Sequence, residues 1–190
     1  QSIERNLRMT QEDTYKTITD LAEGIYTEKR SKFIAIAIPV RTLDEVKQHL
    51  EVYQKKYYDA RHVCYAYMLG HERLNFRAND NGEPSGTAGK PILGQINSNE
   101  LTDILIIVVR YFGGIKLGTS GLIVAYKAAA AEAIAAANII EKTVDDDIYY
   151  SPYLVERMYE SYKKNSGNVH CIVAHEPLLD AEGHLLPYDD

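Results

Sequence analysis

The sequence predicts two consecutive α+β units, with function concentrated on the first. Three observations carry this. Short runs rich in branched and apolar residues alternate with one amphipathic and one alanine-rich helical stretch. The 190 residues, 45% of them hydrophobic, suit one or two domains with a real core. Charge also shifts along the chain. Residues 141–190 hold 11 acidic and 4 basic residues, whereas residues 1–140 hold 16 and 17, within a total net charge of −6. Residues 138–143 read as a linker, giving units at 14–140 and 141–190.

The elements follow in order. Gln1–Arg8 precede the first methionine, Met9, and are left out of the fold. Tyr15 to Val40 holds the first strands; Ser31–Val40 is branched and apolar and is closed by Pro39. Thr42-Leu-Asp-Glu45 matches a capping box, in which hydroxyl and carboxylate cover orphan N–H groups. Leu43, Val46, Leu50, Tyr53 and Tyr57 then share one helical face. His62–Leu69 reads as a strand, and Phe76 and Arg77 close another. Asn79–Gly89 packs three glycines and a proline into eleven residues and reads as a loop. Leu101–Val109 is a continuous apolar strand, broken by Gly113, Gly114 and Gly118. A helix is expected over about 121–137, capped by Thr119 or Ser120 and stopped by a left-handed Asn138. Its alanines predict close approach to a sheet. Beyond it come a strand at Val144–Tyr149, a helix at Pro152–Lys164, a strand at Val169–Ala174 and an acidic tail at Asp180–Asp190.

Composition narrows the function classes. No apolar run approaches the ~18–20 residues of a membrane span, and Gln1 to Asp20 has no secretory pattern. The two cysteines, Cys64 and Cys171, lie in apolar stretches and read as free thiols in a reducing compartment. A cytoplasmic protein without membrane contact is therefore expected. A nucleic-acid or phosphate partner should meet the first unit, because the second is acidic.

The strongest chemical feature is Arg110-Tyr-Phe-Gly-Gly-Ile-Lys-Leu-Gly-Thr-Ser-Gly-Leu122, entered by a strand and left by a helix. Arg110, Tyr111, Gly113, Gly114, Lys116, Gly118, Ser120 and Gly121 form the candidate anion site: glycines bring amides close, a helix start favours negative charge, and Arg110 and Lys116 supply mobile cations. A helix end contributes only about 0.3–2 kcal/mol, so further donors must join it. Glycine's steric role alone also accounts for each glycine, so an architectural turn stays open. Tyr111 is the candidate for stacking on a base, while Tyr57, Tyr58, Tyr65 and Tyr67 read mainly as half-buried sheet and helix residues. A second loop offers Asp80, Glu83, Ser85, Thr87 and Lys90. Its carboxylates suit a divalent cation or a bound hydroxyl, but no full oxygen ligand set is visible; the competing reading is a turn in which Glu83 pairs with Lys90 or Arg77. Arg61 and His62 support the site. The P-loop and dinucleotide fingerprints are absent, and Ser85 lies in Pro-Ser-Gly rather than a nucleophile elbow. No metal and no cofactor are expected, and the reading leans away from catalysis.

Asp80-Asn-Gly-Glu-Pro-Ser-Gly-Thr-Ala-Gly89 and Arg110-Tyr-Phe-Gly-Gly-Ile-Lys-Leu-Gly118, followed by Gly121-Leu122 and Ala125-Tyr126, resemble the two signatures of the IMPACT/YigZ family. Ser31-Lys-Phe33 and Ala60-Arg-His62 match its lesser motifs, and the likeness covers about residues 14–140. The resemblance implies a two-layer α/β sandwich of the type shared by a small-subunit ribosomal protein's second domain, elongation factor G domain IV and GHMP kinases. It implies a ferredoxin-like second domain, for which a strand–helix–strand is incomplete. Eukaryotic members carry an extra N-terminal domain and restrain a kinase acting on translation initiation; without room for that domain, the chain is expected to be of the bacterial type. The implied role is non-catalytic and linked to translation, with RNA, the ribosome or a translation-associated protein as partner. The alternatives are a nucleotide- or phosphate-ligand-binding enzyme using the same loop with Asp80 and Glu83, and a protein–protein interaction module.

Overall fold

The computed structural model describes residues 14–144. Ten elements occur there: β1 (Thr14–Ile18), β2 (Ala22–Glu28), β3 (Ser31–Pro39), α1 (Leu43–Lys56), β4 (His62–Leu69), β5 (Asn75–Asn79), α2 (Gly89–Ser98), β6 (Ile104–Tyr111), α3 (Gly118–Ala136) and β7 (Ile139–Thr143). Five of the strands form an antiparallel sheet in the order β2-β3-β6-β4-β5. The mixed α/β class read from the sequence is the one observed.

The central strand explains the layering. Ile104, Ile106 and Val108 join Phe33, Ala35, Ala37, Cys64 and Ala66 in a core beneath α2 and α3. Leu105, Ile107 and Val109 face the opposite way, with Ile36, Val63 and Tyr67, against Val46 and Tyr53 of α1. Both faces of β6 are therefore covered, and an unbroken apolar run is what such a strand requires. The α1 capping box forms as expected: Glu45 N–H donates to Thr42 Oγ1 and Glu45 Oε2 accepts from the Thr42 amide. Helix α3 lies close to the sheet through Ala125, Ala129, Ala130 and Ala133. Gly24 of β2 gives it room, since a Cβ there would stand 2.4 Å from the Ala133 nitrogen.

Three local expectations are corrected, and one helix is added. Residues 138–143 are no linker: Ile139–Thr143 form β7, antiparallel to β1, with Thr14 opposite Thr143 and Ile18 opposite Ile139. Asn138 does not stop α3 in a left-handed conformation. Ala137 leaves the helix in an extended conformation, and the Asn138 carbonyl and amide bond Thr19 instead. Helix α2 has no counterpart in the sequence reading; it opens where Gly89 packs against the Asn79 backbone, which would stand 2.5 Å from any added Cβ. Helix α3 begins at Gly118, ahead of both residues expected to cap it, because Gly118 at φ +72° turns the chain sooner than any other residue readily allows. The elements and tail expected beyond Val144, together with Cys171 and Gln1–Arg8, lie outside the described residues.

Candidate functional site

Strand register gathers the site at one end of the large sheet. Lys32 at the start of β3 lies opposite Tyr111, and His62 at the start of β4 lies opposite Arg110. The loops after β5 and β6 leave from this same end. Between them is a pocket of about 490 Å³, lined by Arg61, His62, Gly82, Glu83, Pro84, Arg110, Phe112, Lys116, Leu117, Gly118, Thr119 and Leu122.

A buried polar network forms its wall. Arg110 Nη1 donates to Glu83 Oε1 at 2.6 Å, with the two residues only 6% and 8% exposed. Tyr126 donates to the same carboxylate oxygen at 2.9 Å. The Arg110 guanidinium carbon lies 5.7 Å from the Phe33 ring centre and 5.6 Å from that of Phe112, so two aromatic rings bracket the charge. His62 Nδ1 is 2.8 Å from the Asn81 carbonyl and donates to it, which turns Nε2 toward Glu83 Oε2 at 3.7 Å. Behind this network the Cys64 thiol donates to the Asp80 carbonyl at 2.9 Å and lies 3.4 Å from the Tyr126 hydroxyl. Burial pushes the thiol up to about 12, and burial together with Cys64 and Glu83 pushes the Tyr126 hydroxyl well above its ordinary value.

This geometry revises several expected roles. Arg110 is not a mobile cation; its charge is matched by Glu83, and that partner is neither Lys90 nor Arg77. Asp80 and Glu83 do not face a common ligand. Asp80 accepts from the Gly86, Ala88 and Gly89 amides at 2.8–3.0 Å. Burial works to raise its pKa, but those three donors and the nearby Lys90 outweigh burial and hold it below the ordinary value. Thr87 donates to the Pro84 carbonyl, Ser85 is exposed, and the Lys90 side chain passes beside Gly86. No cluster of three metal-ligating side chains occurs among the described residues. The loop is thus a carboxylate-nucleated turn that delivers Glu83 to Arg110.

The glycines divide similarly. Gly113 is architectural: a Cβ there would lie 2.0 Å from the Arg30 carbonyl carbon, and its amide already donates to Ser31 Oγ. Gly114 and Gly118 hold φ of +88° and +72° with open space around them. No side chain caps α3, so the Gly118, Thr119 and Ser120 amides precede the first intrahelical bond. Ser120 is exposed in that first turn and Gly121 is half-buried. Tyr111 turns away from the pocket; it packs on the α1 face of the sheet and donates to Asp59 at 2.8 Å. Its neighbour Phe112 is the aromatic residue in the pocket, a position the sequence reading passed over. The Arg30 backbone lies against Gly113, so exposed Lys29 and Arg30 of the β2–β3 turn, and Lys32 on the face of Tyr111, stand at this end of the sheet, while exposed Arg61 and Lys116 line the pocket itself. Only the strand register reveals that Lys29, Arg30 and Lys32 belong to this end.

No helix among the described residues is long and apolar enough to cross a membrane. The Impact N-terminal domain matches residues 29–134, more than half of the chain. IMPACT family member YvyE of Bacillus subtilis (strain 168) is 37% identical over 129 residues, 68% of this chain and 59% of that protein. IMPACT family member YigZ of Escherichia coli (strain K12) is 41% identical over 102 residues, 52% of this chain and 49% of its own length. The chain thus spans between about half and three-fifths of these two curated relatives. An IMPACT family member of Haemophilus influenzae is 32% identical over 161 residues, with 76% of this chain and 77% of that protein aligned. A crystal structure of a hypothetical protein aligns with a TM-score of 0.66 at 32% identity, covering 69% of this chain and 65% of the other. The signatures that shape the pocket, the fold that carries them and these matches agree: the chain belongs to the IMPACT family.

Proposed function

We propose that this chain is a non-catalytic, translation-linked binding protein that engages phosphate groups of RNA at the pocket end of its large sheet. The observation that carries this reading is the pocket lined by Arg61 and Lys116 beside the uncapped start of α3, with Lys29 and Arg30 of the β2–β3 turn at the same end of the sheet. The charges of Arg110 and Glu83 cancel locally, so these exposed cations and free amides supply the attraction for an anion. Family membership supports the setting in translation.

The test is RNA binding by the full chain, measured against salt. Replacing Arg61 and Lys116 together by alanine should weaken binding and flatten the salt slope by about 1.4, since each single-strand phosphate no longer neutralised accounts for about 0.7. Arg110 is a poor choice for this experiment, because its removal strands Glu83. An unchanged affinity and slope would remove the assigned surface. The pocket's concavity supports a second reading, a phosphate-bearing small ligand. Thermal stabilisation by millimolar nucleotide and none by RNA would favour it.

A further inference from the structure

We infer that the pocket receives one unstacked nucleotide unit, its base lying on Phe112 and its phosphate between Lys116 and the first amides of α3. This rests on the anion-binding reading above and adds recognition of a base. A site for phosphate alone has no use for apolar walls, yet Pro84, Phe112, Leu117 and Leu122 line this pocket together with Arg61 and Lys116. Its volume of about 490 Å³ lies within the range typical of small-ligand sites. Phe112 is 44% exposed although it sits in a pocket, and the Arg110 guanidinium 5.6 Å from its ring centre helps fix its orientation. A fixed aromatic face offers stacking to any base.

Arg110 supplies a rigid polar part of the wall. Arg110 lines the pocket with its side chain only 7% exposed, and its Nε has no hydrogen-bond partner among the described residues. That nitrogen is enclosed by the protein, so the cations the pocket offers to a ligand are Arg61 and Lys116. The shared chemistry is a nucleoside phosphate, held either in a single strand or free in solution.

The experiment uses the full chain and four probes: oligouridylate, an abasic ribose-phosphate oligomer of equal length, polyphosphate and uridine monophosphate. Wild type should bind oligouridylate about tenfold more tightly than the abasic oligomer. Phe112→Leu should lose most of that advantage and leave abasic binding and the salt slope unchanged, whereas Phe112→Tyr should retain it. Its half-exposed position lets thermal melting verify that each variant is folded. Equal binding of base-bearing and abasic oligomers, or an unaffected Phe112→Leu variant, overturns base recognition. If the Arg61/Lys116 variant still loses affinity and slope in that case, the anion-binding reading stands without this extension. Uridine monophosphate binding as tightly as the oligomer would support the nucleotide site and identify a free nucleotide as its source.

Discussion

Replacing Glu83 by alanine tests the pocket wall directly. Its carboxylate is the acceptor for both Arg110 and Tyr126, and the paired side chains are 3% and 7% exposed. Without it the guanidinium stays bracketed by Phe33 and Phe112 with no counter-charge, and the Tyr126 hydroxyl loses its acceptor. Breaking a buried pair in this manner costs about 3–5 kcal/mol. The total stability of a domain is commonly about 5–15 kcal/mol, so the loss is a large share of it. For a chain of this size, about 2–4 °C per kcal/mol places the expected fall in Tm near 10 °C. Urea unfolding followed by circular dichroism measures the effect. Glu83→Leu combined with Arg110→Met removes both charges at similar volume and should restore much of the loss, giving a strong coupling in a double-mutant cycle. A loss below about 1 kcal/mol, the value typical of exposed pairs, would refute the buried-pair argument. So would a double variant whose destabilisation equals the sum of the singles.

Further outcomes follow from the same geometry. Gly24→Ala should cost about 1–3 kcal/mol in urea unfolding, since its Cβ would meet the Ala133 nitrogen and Glu132 carbonyl carbon at 2.4 and 2.5 Å. Cys64, buried and pushed up to about 12, should resist iodoacetamide at pH 8 in the native protein and react once denatured, as read by peptide mapping. The folded state holds that thiol proton more tightly than the unfolded chain, so its contribution to stability falls as pH rises from about 9 toward 12. Asp80 has the opposite sign: its depressed pKa adds stability above the ordinary value of 3.8 and loses it as pH falls below, and Asp80→Asn should flatten the acid limb of the stability curve.

Legibility in the sequence followed the range of the forces involved. The α1 cap, the central strand and the alanine-rich helix were readable because local bonding or one-dimensional periodicity encodes them. Helix α2 lacks a side-chain cap and follows a turn built by Asp80, so its start depends on a residue nine positions earlier. Strand β7 was hidden because its pairing partner lies at the other end of the unit. The two glycine-rich loops could be picked out, but their charges could not be allotted. Arg110 and Glu83, 27 residues apart, neutralise each other only once β4, β6 and the intervening loop are in register. Tyr111 and Phe112 show the same limit, since strand alternation sends the tyrosine to one face and leaves the phenylalanine in the pocket loop.

The pairing of Thr14 with Thr143 has an engineering consequence. Opposed residues in an antiparallel ladder stand about 4.5–5.5 Å apart at their Cα atoms, so the unit enters and leaves at one gate. A bridge of a few residues could close it into a ring, and a fresh opening in the exposed stretch around Gly70–Leu74 would yield a rearranged chain with every strand pairing intact. By the same token the unit could be spliced into a host loop without prying the host apart. Losing residues 139–143 would leave β1 with no antiparallel neighbour among the described residues.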